Sequence, residues 1–288
     1  MEPILELKNL SKRYKGFTLK GVNLVVPRGY IMGLIGPNGA GKTTIIKLIM
    51  NLVRRDGGEI EVFGLDNLAH EAAIKSRIGF VYEEPCFHHD VKLKDIRSAV
   101  APFYEKWNEE RFTALISEFG LPLNKKFKKL SEGMKSKFAI ALALSHDAEL
   151  IVMDEPTSGL DPIFRRELLE RLSDFIQDEN KSVLFSTHIT SDLEKTADYV
   201  TFIHDGEIRF STRKDDLLER WGIVKGGPEL LARRDNGLFL GVCESAYGVE
   251  ALTTDIETAR RELGGDLVFE RATLEEIMVF IGQGERHD

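Results

Sequence analysis

The chain has 288 residues, of which 30% are charged and 42% hydrophobic, and its formal net charge is −8. This composition is ordinary for a globular protein and excludes a wholly disordered chain, a collagen-like chain and a coiled coil. The acidic balance argues against general nucleic-acid binding, which needs Lys and Arg to neutralise phosphates. Its two cysteines, Cys86 and Cys243, are too far apart in sequence to indicate a disulfide framework or a paired zinc site.

The hydropathy pattern predicts a soluble, cytoplasmic protein. The N-terminal segment carries charges throughout and lacks the apolar stretch that is typical of a signal peptide. No segment reaches the roughly 18 apolar residues that a membrane-spanning helix needs. We therefore expect any membrane role to depend on a separate partner.

Alternating strand and helix patterns predict an α/β domain over residues 1–222. In chain order, we expect strands at residues 4–10, 19–26 and 29–35, an apolar helix from Thr43 to Val53, and strands at 58–64, 78–82, 149–154 and 181–185. Asp161 and Pro162 suit the N-cap and first position of a helix. Asp205-Gly206 indicates a hairpin turn.

Two regions differ from this alternation. Residues from about 87 to 146 have helical spacing with few strand signals, which predicts a helical insert. Glycines after Trp221 indicate a break, so we expect a small α+β extension at residues 223–288, for packing or for stabilising a dimer. Capping boxes are predicted there at Thr254 with Glu257 and at Thr273 with Glu276.

Residues 36–44, GPNGAGKTT, match the phosphate-binding pattern G-x-x-x-x-G-K-[ST]. A loop around a triphosphate brings several backbone N–H groups close to anionic oxygens, and glycines permit that approach. An apolar strand precedes this loop and a helix follows it, as the motif requires. The pattern predicts that Lys42 reaches the β- and γ-phosphates and that Thr43 binds Mg²⁺. The predicted nucleotide-binding residues here are Gly36, Pro37, Asn38, Gly39, Ala40, Gly41, Lys42, Thr43 and Thr44.

Two further strand ends carry polar side chains that suit phosphate chemistry. Asp154 ends a buried strand, where ligands lie in open α/β sheets, and we expect it to hold Mg²⁺ directly or through water. Glu155 follows at once, and we expect it to polarise a water for attack on the γ-phosphate. His188 follows another strand and could hydrogen-bond the same phosphate. His88-His89 is not interpreted as a metal site, because two adjacent histidines do not complete a coordination shell.

The order of four motifs resembles the ATP-binding subunit of an ATP-binding cassette (ABC) transporter over roughly residues 4–220. These motifs are the phosphate loop, the segment LSEGM at residues 130–134, the segment DEPTSGLD at 154–161, and His188. The resemblance implies an α/β P-loop NTPase core with an antiparallel β subdomain and a helical insert. It also implies ATP and Mg²⁺ as ligands.

By this resemblance, each motif acquires a role. Glu155 would be the catalytic glutamate and His188 the switch histidine. Ser131 and Gly133 would bind the γ-phosphate across a dimer, and Glu83 would contact Mg²⁺. Tyr14 would stack on adenine, although core packing of Tyr14 and a competing role for Phe17 stay open.

Two departures from the family pattern affect these expectations. LSEGM replaces the usual LSGGQ, so Glu132 brings an extra carboxylate that we expect to point away from the phosphates. Glu83 stands where the family usually has glutamine; both side chains offer an oxygen to Mg²⁺, but the charge differs. Such variants resemble the exporter-like branch, whose permeases are separate polypeptides.

The resemblance implies a subunit that energises transport, with export expected, through a separate transmembrane permease at the inner face of the cell membrane. Two copies, or one copy and a related ATPase, would pair head to tail around two ATP molecules. The segment from Glu83 to Val100 would contact the permease. Two alternatives stay open: an ABC ATPase that acts on nucleic acid or ribosomes, and a phosphate-loop kinase, which would leave Ser131 and His188 without a role.

Overall fold

Three sheets and their covering helices form the part of the chain that the structure, a computed structural model, describes: residues 2–83, 85, 87–233, 237–245, 248–264 and 267–283. The strands there are β1 (Pro3–Tyr14), β2 (Phe17–Pro27), β3 (Ile31–Ile35), β4 (Gly57–Val62), β5 (Leu65–Asp66), β6 (Ile78–Val81), β7 (Leu150–Asp154), β8 (Ser182–Thr187), β9 (Tyr199–His204), β10 (Glu207–Arg213), β11 (Gly222–Gly226), β12 (Gly241–Ser245), β13 (Gly248–Thr253) and β14 (Val268–Arg271). The helices are α1 (Lys42–Ile49), α2 (Glu71–Lys75), α3 (Leu93–Val100), α4 (Glu109–Glu118), α5 (Glu132–Leu144), α6 (Pro162–Phe175), α7 (Thr190–Thr196), α8 (Lys214–Arg220), α9 (Ile256–Leu263) and α10 (Leu274–Gln283). Short 3₁₀ helices lie at Ala101–Phe103, Phe127–Lys129 and Pro228–Arg233.

The central sheet has the order β10-β9-β3-β8-β7-β6. Strands β9, β3, β8, β7 and β6 are parallel, and β10 adds an antiparallel edge through the predicted hairpin turn. Because β3, β8 and β7 are neighbours, the loops that follow them leave the same edge of the sheet. The phosphate loop, His188 and the Asp154-Glu155 pair therefore lie together.

The predicted antiparallel β subdomain and helical insert are both present. The sheet β2-β1-β4-β5 is antiparallel and packs its apolar face with α1 and the central sheet. Helices α3, α4 and α5 lie between β6 and β7 in the chain, and Phe112, Phe127 and Phe138 fill their core. This confirms the α/β core with a helical insert.

Helix α1 is shorter than the sequence predicted. It ends at Ile49 rather than Val53, because Asn51 adopts φ 51 and the Leu52 N–H donates to the Lys47 carbonyl. A left-handed residue after a helix is a common terminator, and asparagine tolerates that conformation. Apolar content alone overestimated the helix length.

The C-terminal extension is built on the antiparallel sheet β12-β13-β11-β14. One face of this sheet has its own small core around Val224 and Val249. The other face is different: Ile223 and Leu252 join α10 in the main core, which also holds Phe202 of the central sheet. Strand β11 begins at Gly222, and apolar side chains before and after it share one core, so the division at residue 222 stays a prediction.

The two capping boxes predicted in the extension have different outcomes. At α10, Thr273 Oγ1 accepts from the Glu276 N–H, and Glu276 Oε2 accepts from the Thr273 N–H, as predicted. At α9 the prediction was wrong by one residue, since Asp255 caps the helix by accepting from the Thr258 N–H. An aspartate side chain is as good an N-cap as threonine, so the local pattern could not choose between them.

His146, which follows α5, is an unusual buried histidine. Its ring stacks on Tyr104 with a centroid distance of 3.9 Å, and its Nε2 has no hydrogen-bond partner among the described residues. Because burial penalises the charged form, the pKa of His146 falls from 6.5 to about 4.

We expect this histidine to make the fold sensitive to acid. Below pH 6.5 the unfolded chain binds a proton at His146 that the folded chain does not, so the free energy of unfolding should decrease as the pH falls towards about 4. His146→Phe, which keeps a ring against Tyr104, should weaken that dependence in thermal or urea unfolding between pH 7 and pH 5. His70→Gln, at an exposed position, is the control and should not weaken it. An equally steep dependence in His146→Phe would contradict the assignment.

Candidate functional site

A cavity of about 660 Å³ opens where β3, β7 and β8 end. It is lined by Phe17, Pro37, Asn38, Gly39, Gly41, Lys42, Thr43, Thr44, Glu83, Glu155, Ser158 and His188. Most of the predicted phosphate loop and both predicted catalytic residues are thus brought together. Gly41 caps α1 with φ 117, a conformation that L side chains rarely adopt, and a Cβ there would lie 3.0 Å from Phe17. The positive end of α1 therefore faces the cavity, as anion binding requires.

Lys42 lies under the loop, almost fully buried. Its Nζ donates to the carbonyl oxygens of Gly36 and Pro37, at 2.8 and 3.3 Å. The same atom lies 3.3 Å from Oε1 of Glu155, whose side chain is only 7% exposed. A triphosphate in the cavity would offer Lys42 oxygens of higher charge density, so the ammonium group can exchange these contacts for phosphate.

Glu155 connects Lys42 to His188. Its backbone adopts φ 47, a region that non-glycine residues rarely occupy. Oε2 of Glu155 lies 2.8 Å from Nδ1 of His188 and accepts from the His188 N–H at 3.3 Å. The His188 side chain is about half exposed at the cavity rim. The Glu155 carboxylate therefore contacts both the buried Lys42 ammonium and an imidazole ring that solvent can reach.

Asp154 lies beneath the cavity floor with 0% exposure. Ser186 Oγ donates to its Oδ1 at 2.6 Å, whereas the buried Oδ2 has no hydrogen-bond partner within the described ranges. Burial raises the pKa of the Asp154 carboxyl above its ordinary value, although hydrogen bonds from Ser186 and the neighbouring Thr43 oppose the rise.

These features fit a divalent cation held partly by substrate. An unpaired carboxylate oxygen near a hydroxyl offers the hard oxygen ligands that Mg²⁺ prefers. In the described part of the chain, no group of three His, Cys, Asp or Glu side chains could hold a metal ion. Asp154 and Thr43 would therefore share the ion with phosphate oxygens and water, which is how Mg²⁺ is usually bound in nucleotide sites.

The structure does not bring every predicted residue into the cavity. Ser131 caps α5 by accepting from the Met134 N–H, and neither Ser131 nor Gly133 lines the cavity. Glu132 turns to Lys135, at 2.7 Å, and its side chain is largely exposed. The N-terminus of α5 is thus exposed to solvent, and the Glu132 carboxylate is already paired with Lys135 of the same helix.

The two aromatic candidates for adenine also differ in place. Phe17 lines the cavity. Tyr14 does not; it is exposed, with the Lys12 ammonium 5.6 Å from its ring centroid. The adenine role of Tyr14 therefore stays a prediction, and Phe17 is the aromatic residue next to the phosphate loop.

Sequence reasoning missed Ser186. This residue is fully buried at the end of β8, where its hydroxyl donates to Asp154 and accepts from the Glu155 N–H at 3.0 Å. It therefore fixes both acidic residues at once. The one signal in the sequence was a serine directly after the apolar run VLF of a buried strand, where a hydroxyl needs a partner.

Comparison with known proteins gives a consistent result. A family profile described as ABC transporter matches residues 19–158. The lantibiotic transport ATP-binding protein SrtF of Streptococcus pyogenes is 36% identical over 208 residues, which cover 71% of this chain and 89% of SrtF. An uncharacterised ABC transporter ATP-binding protein of Nostoc is 30% identical over 296 residues, covering 95% of this chain and 85% of the relative. A solved ATP-binding subunit of an ABC transporter has a TM-score of 0.69 at 31% identity, covering 75% of this chain and 92% of that one.

Lys42→Ala tests the phosphate loop. We expect the affinity for ATP to fall by roughly 100-fold or more, because several charge-assisted hydrogen bonds are lost together. Isothermal titration calorimetry would measure this. Lys20→Ala removes a lysine from an exposed ion pair with Glu207 and should bind ATP normally. Undiminished ATP binding by Lys42→Ala would refute the role of the loop.

Proposed function

Because this chain belongs to the family of ABC transporter ATP-binding proteins, we propose that it acts in an ATP-clamped pair of subunits that drives export through a separate membrane permease. The chain is an ATP-binding and ATP-hydrolysing subunit of such a transporter. The observation that carries the proposal is the continuous contact from Lys42 through the Glu155 carboxylate to His188 at the cavity rim.

When ATP binds, Lys42 exchanges its ion pair with Glu155 for one with the γ-phosphate, and hydrolysis can then begin. The freed carboxylate, still held by His188, then accepts a proton from a water placed in line with the γ-phosphate. His188 is exposed enough to donate a hydrogen bond to the phosphate oxygen as negative charge develops there. The Glu155 carboxylate is a weaker base while it is paired with Lys42, so ATP binding would itself activate Glu155 as the general base.

Mg²⁺ would be held by Asp154 and Thr43, with Glu83, which lines the cavity, as a further oxygen ligand. When bound, the ion neutralises charge on the phosphate oxygens. Ser186 keeps Oδ1 of Asp154 occupied, which leaves Oδ2 for the ion.

The second subunit supplies what the cavity lacks. Ser131 and Gly133 lie outside their own cavity at the N-terminus of α5, a 13-residue helix whose positive end attracts anions. A second chain, paired head to tail, would place these donors on the γ-phosphate. ATP then holds two positive helix ends together, and loss of the γ-phosphate removes the contact that joins them.

The permease contact is proposed for an apolar groove beside the helical insert. Its lining residues are Glu71, Ala72, Lys75, Ser76, Val100, Phe103 and Tyr104. Phe103 is 78% exposed, an unusual state for so large an apolar side chain. Val100, which lines this groove, ends the 83–100 segment, and Glu83, its first residue, lines the ATP cavity. No helix in the described residues is long and apolar enough to cross a bilayer, so this docking would hold the chain at the membrane.

Glu155→Gln tests the catalytic and pairing roles. The amide keeps the shape but cannot accept the proton, so we expect turnover to fall by about 100-fold or more while ATP binding persists. Saturating ATP and Mg²⁺ should then convert the variant to a dimer in small-angle scattering. Adding Ser131→Arg should keep it monomeric with ATP still bound. Normal hydrolysis by Glu155→Gln, or a monomer at saturating nucleotide, would contradict the proposal.

Phe103→Ser tests the permease groove. We expect this variant to co-purify far less of a polytopic membrane protein from its native membranes, because an exposed apolar anchor is lost. Leu240→Ser changes an exposed apolar residue of the extension and is the matched control, which should co-purify it normally. Equal recovery by both variants would exclude Phe103 from the contact.

A further inference from the structure

Asp192 is a buried carboxylate that the mechanism above does not use. It lies in α7, the helix that follows His188, and is 1% exposed. Buried carboxylates are costly unless charged or hydrogen-bonding partners surround them. Its partners therefore indicate what this charge does.

Both oxygens of Asp192 have short, directed contacts. Oδ2 accepts from the Thr157 hydroxyl at 2.7 Å, and this threonine is itself buried. Oδ1 accepts from Nε of Arg165 at 2.7 Å, and Arg165 also donates to Ser191. The guanidinium belongs to α6, so the carboxylate joins α6, α7 and the segment between β7 and α6.

Thr157 belongs to the turn that carries Glu155. The Ser158 N–H donates to the Glu155 carbonyl at 3.1 Å, and Glu155 itself has φ 47. A non-glycine residue in this region is strained and is maintained only when surrounding contacts hold it. The Asp192–Thr157 hydrogen bond is such a contact, two residues beyond Glu155.

Helix α7 is itself well anchored. Leu193 is fully buried, and a Cβ on Gly33 of β3 would come within 2.1 Å of it, so the bare glycine allows the helix to lie on the sheet. Oε1 of Glu194 accepts from the Leu274 N–H of the extension, and its carbonyl accepts from Lys214. Because α7 is anchored in this way, Asp192 can hold the turn that contains Thr157 in a fixed position.

We propose that Asp192 is a positioning residue: through Thr157 it holds the turn that carries Glu155 against α7, the helix that follows His188. Arg165 balances the charge of Asp192. This inference rests on the proposed roles of Glu155 and His188. The turn carries Glu155, and α7 begins two residues after His188; the Glu155 and His188 side chains meet at 2.8 Å. Asp192 gives the pair a second connection, so that their spacing persists when ATP draws Lys42 away.

Thr157→Val and Thr157→Ser form a matched pair for the test. Valine keeps the branched shape without the hydroxyl, whereas serine keeps the hydroxyl donor. We expect Thr157→Val to lower kcat for ATP about tenfold, with KM changed less than about twofold, because a displaced base slows chemistry without removing phosphate contacts. Thr157→Ser should recover most of the lost kcat. Equal losses in both variants, or a rise in KM alone, would overturn the inference.

Two further measurements separate this role from a structural one. In a Glu155→Gln background, Thr157→Val should have no additional effect on the residual rate, because the residue that it positions is already disabled. A further tenfold loss there would show that Thr157 acts by another route. Arg166→Gln breaks the exposed Arg166–Glu170 pair on α6 and should leave turnover unchanged, as a control for perturbing that helix.

The outcomes also distinguish the two proposals. Normal hydrolysis by Glu155→Gln refutes the catalytic assignment whatever Thr157 does. A dead Glu155→Gln variant beside a fully active Thr157→Val variant, with melting temperatures matched, refutes the positioning role alone.

Discussion

The side-by-side ending of three parallel strands is the constraint on which the site depends. Register pairs Ile35 of β3 with Thr187 of β8, and Asp154 of β7 with Ser186 of β8. Because backbone hydrogen bonds fix these registers, the loops after β3 and β7 each start about one strand spacing from the loop after β8. A triphosphate bound by the loop after β3 would then lie beside the acidic pair at the end of β7 and the histidine that follows β8.

Charge placement around this edge supports the proposed exchange of Lys42 from Glu155 to phosphate. Lys42 and Glu155 are both nearly buried, and a buried ion pair contributes little net stability because desolvation offsets the attraction. Such a pair is easily exchanged for a better one. Phosphate oxygens provide that alternative for the lysine, and His188 keeps the released glutamate from being left without a partner. The resting contacts therefore prepare the reactive arrangement rather than compete strongly with it.

Local spacing was sufficient to predict the loop at 36–44, the strand that delivers Asp154, and the insert, because each rests on residues close in sequence. It failed where a distant partner decides the outcome. Ser186 lies 32 positions from Asp154, and Asp192 lies 35 positions from Thr157 and 27 from Arg165. No periodicity in the sequence indicates such pairing. Tyr14 was favoured by resemblance, yet Phe17, its partner on the neighbouring strand, is the one that lines the cavity.

The shared core of the C-terminal extension has an evolutionary consequence. Phe210 and Trp221 pack against the main core, which also holds Ile223, Leu252 and residues of α10, so this surface would be exposed and apolar wherever the extension is missing. A homologue that stops before β11 would need polar replacements there or another chain to cover it. Gain or loss of this appendage should thus be accompanied by compensating substitutions at the junction, and chimaeras that exchange it without them should aggregate.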